Sequence, residues 1–149
     1  MMTEKKPLFL FSALVLVLLA MLLVWRGEAA KNGGLRLTAE DVTAESLTLA
    51  AERGNVGTGK LWIDRGFYLW HREGLKWALL EPRQNAGSHW VLEANSVSLL
   101  PGEACRIGIP FGEIYGALPP GRYRIGKQVV FWGKAGEETR LITVPFQVR

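Results

Sequence analysis

The stretch Leu118-Pro119-Pro120-Gly121-Arg122-Tyr123-Arg124-Ile125 decides the fold. Two prolines fix φ and withhold two backbone donors, and a glycine follows them, so the chain turns a corner at this point. Beyond the corner, Tyr123 and Ile125 alternate with Arg122 and Arg124, the period-two pattern of a strand with one buried face. Tyr123 then stands at the start of a strand, its ring entering the core and its hydroxyl bonding back to the corner's backbone. Pro120, Gly121 and Tyr123 together read as a tyrosine corner, a structural use of tyrosine found in two-layer antiparallel sandwiches.

The same alternation runs outward along the chain. Leu35 and Leu37 alternate with Arg36 and Thr38, Leu47 and Leu49 with Ser46, Thr48 and Ala50, and Ile142, Val144, Phe146 and Val148 close the chain. Phe67 and Leu69 are expected to pair with Trp77 and Leu79 across a turn at Glu73-Gly74, which makes Trp77 a core tryptophan. Turn residues recur at Arg53-Gly54-Asn55, Arg65-Gly66, Glu73-Gly74, Asn85-Ala86-Gly87, Pro101-Gly102, Pro119-Pro120-Gly121 and Lys134-Ala135-Gly136. Breaks at this spacing predict an all-β antiparallel sandwich of about seven or eight strands, with few helices and no internal repeats.

Several segments together resemble the bacterial Ig-like domain family of exported, membrane-tethered proteins of the Gram-positive type. They are Leu47-Thr48-Leu49, Gly66-Phe67-Tyr68-Leu69 with Gly74-Leu75-Lys76-Trp77, and Tyr115-Gly116-Ala117-Leu118-Pro119-Pro120-Gly121-Arg122-Tyr123-Arg124-Ile125 with Lys127. The resemblance covers most of residues 35 to 149, and Pro110-Phe111 stands where the family usually has Asp-Trp. It implies an immunoglobulin-like sandwich outside the cytoplasm and brings no common catalytic residues.

Ahead of the domain, Leu8 to Trp25 is eighteen residues without a charge, thirteen of them Leu, Val or Phe. As a helix it would be about 27 Å long, close to the hydrocarbon thickness of a bilayer. The expected organisation is a cytoplasmic tail (1–7), a transmembrane signal anchor (8–25), a spacer (26–33) and an extracytoplasmic domain (34–149). Membrane lipid is thus a partner through residues 8–25, and the protein is a single-pass protein of the cell membrane. A cleaved signal peptide is the alternative, because Lys5 and Lys6 form a basic n-region and Gly27 to Ala30 offers small residues for a peptidase; the domain is then secreted. The length of the apolar run and Arg26 directly against it favour retention.

The formal charge of +4 does not imply a nucleic-acid partner. From Leu35 onward 14 Lys and Arg stand against 12 Asp and Glu, alternating in sign instead of clustering. Cys105 is the one cysteine, so no internal disulfide staples the fold, and its alternation with Arg106 puts it on the face of Ile107 and Ile109. Gly54-Asn55-Val56-Gly57-Thr58-Gly59-Lys60 matches a phosphate-binding loop up to its lysine, but Leu61 replaces the Ser or Thr hydroxyl and no helix is expected to follow, which excludes a nucleotide. His71 and His89 lack partners at metal-ligand or catalytic spacing, and Glu81, Glu93, Glu103 and Glu113 are scattered among basic neighbours. No catalytic, cofactor-binding or metal residues are expected, and the chain does not read as an enzyme.

Trp62, Tyr68, Trp70, Trp77, Trp90, Phe131 and Trp132 are many aromatics for a domain of this size. Alternation puts Tyr68 and Trp70 opposite Phe67 and Leu69, where they can contact a ligand or a partner protein. The leading expectation is a non-catalytic, membrane-anchored interaction or scaffold module whose partners are envelope or membrane proteins. Binding of an envelope glycan or small ligand through Tyr68 and Trp70, or a proteinase-inhibitor-like sandwich, are the alternatives.

Overall fold

A computed structural model describes residues 32–83, 96–133 and 135–149, with Val15 and Val17 as isolated positions. The expected membrane anchor 8–25 (those two valines apart), the tail before it, most of the spacer, His89, Trp90, Glu93 and the Asn85-Ala86-Gly87 turn lie outside the described residues. No helix among the described residues is long and apolar enough to cross a membrane.

The described chain forms strands β1 (Leu35–Glu40), β2 (Leu47–Arg53), β3 (Leu61–Ile63), β4 (Tyr68–Glu73), β5 (Lys76–Leu79), β6 (Val97–Leu99), β7 (Ala104–Ile109), β8 (Gly121–Gly133) and β9 (Gly136–Val148). A single-turn helix, α1 (Gly112–Tyr115), joins β7 to the corner before β8. All pairings are antiparallel. One sheet has the order β1-β2-β7, and the larger one is organised by β8, which pairs with β9 along its whole length. On its other edge β8 pairs with β4 and then with β3, which carry β5 and β6 outside them.

The strand count exceeds the expected one because the chain also reverses over residues 41–46, between β1 and β2, without a glycine or proline; the Thr43 hydroxyl accepts from the Glu45 and Ser46 N–H groups there. Arg65-Gly66, in contrast, does not reverse the chain. β3 and β4 run end to end along the same edge of β8, with a step between them. Ile63 pairs with Val129 and Tyr68 with Gly126, so Asp64 to Phe67 face only Lys127 and Gln128. Such a bulge leaves backbone groups without ladder partners, and buried carbonyls need replacements. The Asp64 N–H donates to the Gln128 carbonyl at 2.9 Å. The fully buried Lys127 ammonium donates to the carbonyls of Arg65 and Gly66 at 2.9 and 3.0 Å.

Lys127 also divides the core. On one side Tyr123, Ile125, Leu69, Phe146, Phe111, Leu47 and Leu49 draw both sheets together. On the other, Val129, Leu61, Ile63, Leu99, Leu35 and Ala51 do the same. At the corner the Tyr123 hydroxyl donates to the Pro119 carbonyl at 2.7 Å, while its ring stacks on Phe146 at 5.5 Å between centroids. Cys105 faces inward beside Ala51, half-buried, and burial pushes its thiol pKa up, away from thiolate chemistry.

One expectation is corrected. Trp77 is not a core residue: the two-residue loop Gly74-Leu75, with Gly74 at φ 60°, sets Trp77 opposite Arg72 and Leu79 opposite Trp70, all on the outer face. The register fixed by the turn puts Trp77 and Leu79 on that face and turns Lys76 and Ala78 to the other. The single turn of helix α1 agrees with the expectation of few helices, and it forms where Phe111 is fully buried ahead of it and the Gly112 N–H donates to the Glu45 carbonyl at 2.7 Å.

Burial lowers the Lys127 pKa from 10.5 to about 8, with Asp64 opposing and Arg65 adding to the shift. The folded protein therefore releases this proton near pH 8, whereas the unfolded chain holds it up to 10.5. The lysine's contribution to stability is lowest below about pH 8 and rises by roughly 3 kcal/mol as pH climbs toward 10.5. Urea titrations across this window are expected to give wild type a rising component that Lys127→Met lacks; parallel pH profiles would contradict the assignment. Subtracting the two profiles removes the opposite trends of Cys105 and of Tyr115, whose pKa is pushed up to about 12 chiefly by burial. Tyr123→Phe, which leaves the Pro119 carbonyl unpaired, is expected to cost about 1–3 kcal/mol in the same measurement.

Candidate binding face

The outer face of the larger sheet gathers the exposed aromatics. Because β4 meets β8 with Tyr68 opposite Gly126 and Trp70 opposite Arg124, their inward neighbours Leu69 and Ile125 take the core. Tyr68 is 43 % exposed, and its ring lies 6.1 Å from that of Trp70, tilted by 45°. The Trp70 indole covers Gly126: a Cβ there would stand 2.6 Å from the ring. An aromatic laid over a cross-strand glycine fills the gap in the pleat and is itself held in place.

Next to Trp70, Trp77 receives the Arg124 guanidinium over its ring at 4.0 Å, with Arg72 at 5.9 Å. Leu79 and Leu141, each 50 % exposed, continue the apolar surface. Arg72, Arg122 and Arg124 share this face through the strand registers, and none of their outward neighbours on β4, β5 or the first half of β8 is acidic. This end of the sheet is therefore aromatic and basic. Tyr, Trp and Arg are the residue types enriched at the energetic centres of protein interfaces.

The opposite end of the same face has another chemistry. A cleft of about 410 Å³ is lined by Trp62, Asp64, Ser96, Gln128, Val130, Trp132, Glu137 and Thr139. Its residues come from β3, β8 and β9, from Asp64 just after β3 and from Ser96 just before β6, and Trp132 is 54 % exposed. Sequence reasoning noted Trp62 and Trp132 only as unassigned aromatics. The outward alternation of Trp62 with Leu61 and Ile63, and of Val130 and Trp132 with Val129 and Phe131, was the available signal.

The residues tested for chemistry stay apart. His71 faces inward, its ring 4.9 Å from that of Tyr123. Glu103 accepts the Leu100 N–H at 2.8 Å and caps the turn between β6 and β7, Glu113 lies in helix α1, and Glu81 follows β5. Among the described residues no three His, Cys, Asp or Glu are grouped as metal ligands. The glycine-rich segment 54–60 runs straight into β3, so no helix N-terminus stands behind it. Instead the buried Arg53 guanidinium ties it down, donating to the carbonyls of Gly59 and Leu99 at 2.8 and 2.6 Å. The corner residues Pro120, Gly121 and Tyr123 lie at the β4–β5 end of the sandwich, where they hold the start of β8. Comparison with family models, with curated proteins and with solved structures finds no match.

Gly126→Ala should displace the Trp70 indole and lower stability by about 1–3 kcal/mol, the usual cost of overpacking. In a Trp70→Ala background the same substitution should be nearly neutral; an undiminished cost there would show that the indole does not lie on Gly126.

Proposed function

We propose that this chain is a non-catalytic interaction or scaffold module: an immunoglobulin-like sandwich, anchored in the cell membrane through residues 8–25 and held outside the cytoplasm, that binds an envelope or membrane protein. The observation that carries this reading is the aromatic and basic end of the larger sheet, where Tyr68, Trp70 and Trp77 stand beside Arg72, Arg122 and Arg124 on one open face. The Ig-like assignment is supported by the corner bond from Tyr123 to Pro119 and by the two packed antiparallel sheets. The membrane assignment is supported by the uncharged run alone.

The surface suits a protein better than a sugar. Tyr68 and Trp70 are tilted against each other and do not form one flat platform, and a face of Trp77 is occupied by Arg124. Three guanidinium groups with no acid among their outward neighbours on β4, β5 or the first half of β8 call for a partner surface bearing carboxylates around an apolar centre.

The test is a photo-crosslinking residue in place of Trp70 in intact cells, with one in place of Glu52 on the smaller sheet as control. Position 70 is expected to capture one envelope or membrane protein, and Arg124→Glu is expected to abolish that product. Equal capture from both positions, or none from position 70, would contradict the reading. External protease should remove the domain from intact cells; survival until lysis would contradict its location.

A further inference from the structure

We propose that the cleft at the other end of the sheet is a saccharide-binding site for neutral or amino sugars. It is separate from the basic aromatic surface and does not depend on it.

The strand registers give the cleft its plan. Trp62, Val130 and Thr139 form one row across β3, β8 and β9, which Ser96 extends toward β6; Asp64 and Gln128 flank it on one side, and Trp132 and Glu137 on the other. Trp62 and Trp132 are diagonal neighbours on one face, about 7–8 Å apart at their backbones. Val130 is the floor between them. The row spans three strand spacings, about 14 Å, long enough for a short oligosaccharide. The volume of about 410 Å³ falls within the range of small-ligand sites.

Sugar rings present apolar C–H faces and a rim of hydroxyls, and recognising them takes flat apolar side chains together with side chains that accept and donate hydrogen bonds. The cleft supplies both. Trp62 and Trp132 offer indole surface, while Asp64, Glu137, Gln128, Thr139 and Ser96 offer carboxylate, amide and hydroxyl groups. The two carboxylates set the ligand's charge. No Lys or Arg is among the described lining residues, so phosphorylated or uronic sugars would be repelled, chiefly by Glu137 because Asp64 also interacts with the Lys127 ammonium, and amino sugars would be attracted.

The experiment uses the full chain in detergent with its tryptophan side chains isotopically labelled, titrated with the trisaccharide of N-acetylglucosamine, its de-N-acetylated form and trigalacturonic acid. Both glucosamine-type sugars are expected to shift the indole N–H resonances of Trp62 and Trp132 and to leave those of Trp70 and Trp77 in place; the galacturonate is expected to shift none. Trp132→Ala, a change at an exposed site, should weaken binding about tenfold, Tyr68→Ala should leave it unaltered, and Glu137→Gln should narrow the discrimination against the acidic sugar. Shifts confined to Trp70 and Trp77, equal affinity after Trp132→Ala, or no shift with either glucosamine-type sugar would overturn the assignment.

Discussion

The Lys127 ammonium fills the place where the edge of the larger sheet loses step. β3 and β4 share that edge, and their registers on β8 differ by the residues of a bulge, so the carbonyls of Arg65 and Gly66 turn inward with no strand to receive them. Left unpaired, each of these part-buried carbonyls would cost up to about 1–3 kcal/mol. A lysine on the inward face of β8 reaches both, at the expense of burying a charge, which is why its pKa falls to about 8. The apolar core is consequently built as two clusters on either side of one cation.

That step also shapes the outer face. It allows the β4–β5 hairpin to bring Trp70, Trp77 and Arg72 beside Arg124 at one end, while β3 brings Trp62 and Asp64 beside Trp132 and Glu137 at the other. One strand therefore supports two surfaces of opposite charge, basic near the tyrosine corner and acidic near the β8–β9 turn. The long pairing of β8 with β9, unbroken from Gly121 to Gly133, is the rigid backing for both.

Much of this architecture is legible in the sequence, because it is local. The Pro-Pro-Gly corner, the alternation through Tyr123 and Ile125, and the outward placement of Tyr68 and Trp70 all follow from neighbours a few residues apart. Trp77 fails for an instructive reason: its apolar spacing with Leu79 suits either face, and only the length of the Gly74-Leu75 loop decides between them. Arg65-Gly66 reads as a reversal because glycine marks turns and bulges alike; what tells them apart is the pairing with Lys127 and Gln128, some sixty residues away. The helix α1 depends on a tertiary bond to Glu45 that no local pattern announces. For the cleft, each tryptophan is visible singly, yet their meeting depends on the β3–β8 register.

Hydrogen exchange resolved by residue, on wild type and Lys127→Met, bears most directly on the stepped edge as the organising constraint. The expected result is that the variant loses protection at Asp64 to Phe67 and at the adjoining ends of β3 and β4, while β1, β2 and β7 exchange as in wild type. Unaltered protection at the step, or a loss spread evenly over both sheets, would mean that Lys127 does not hold the two halves of that edge in place.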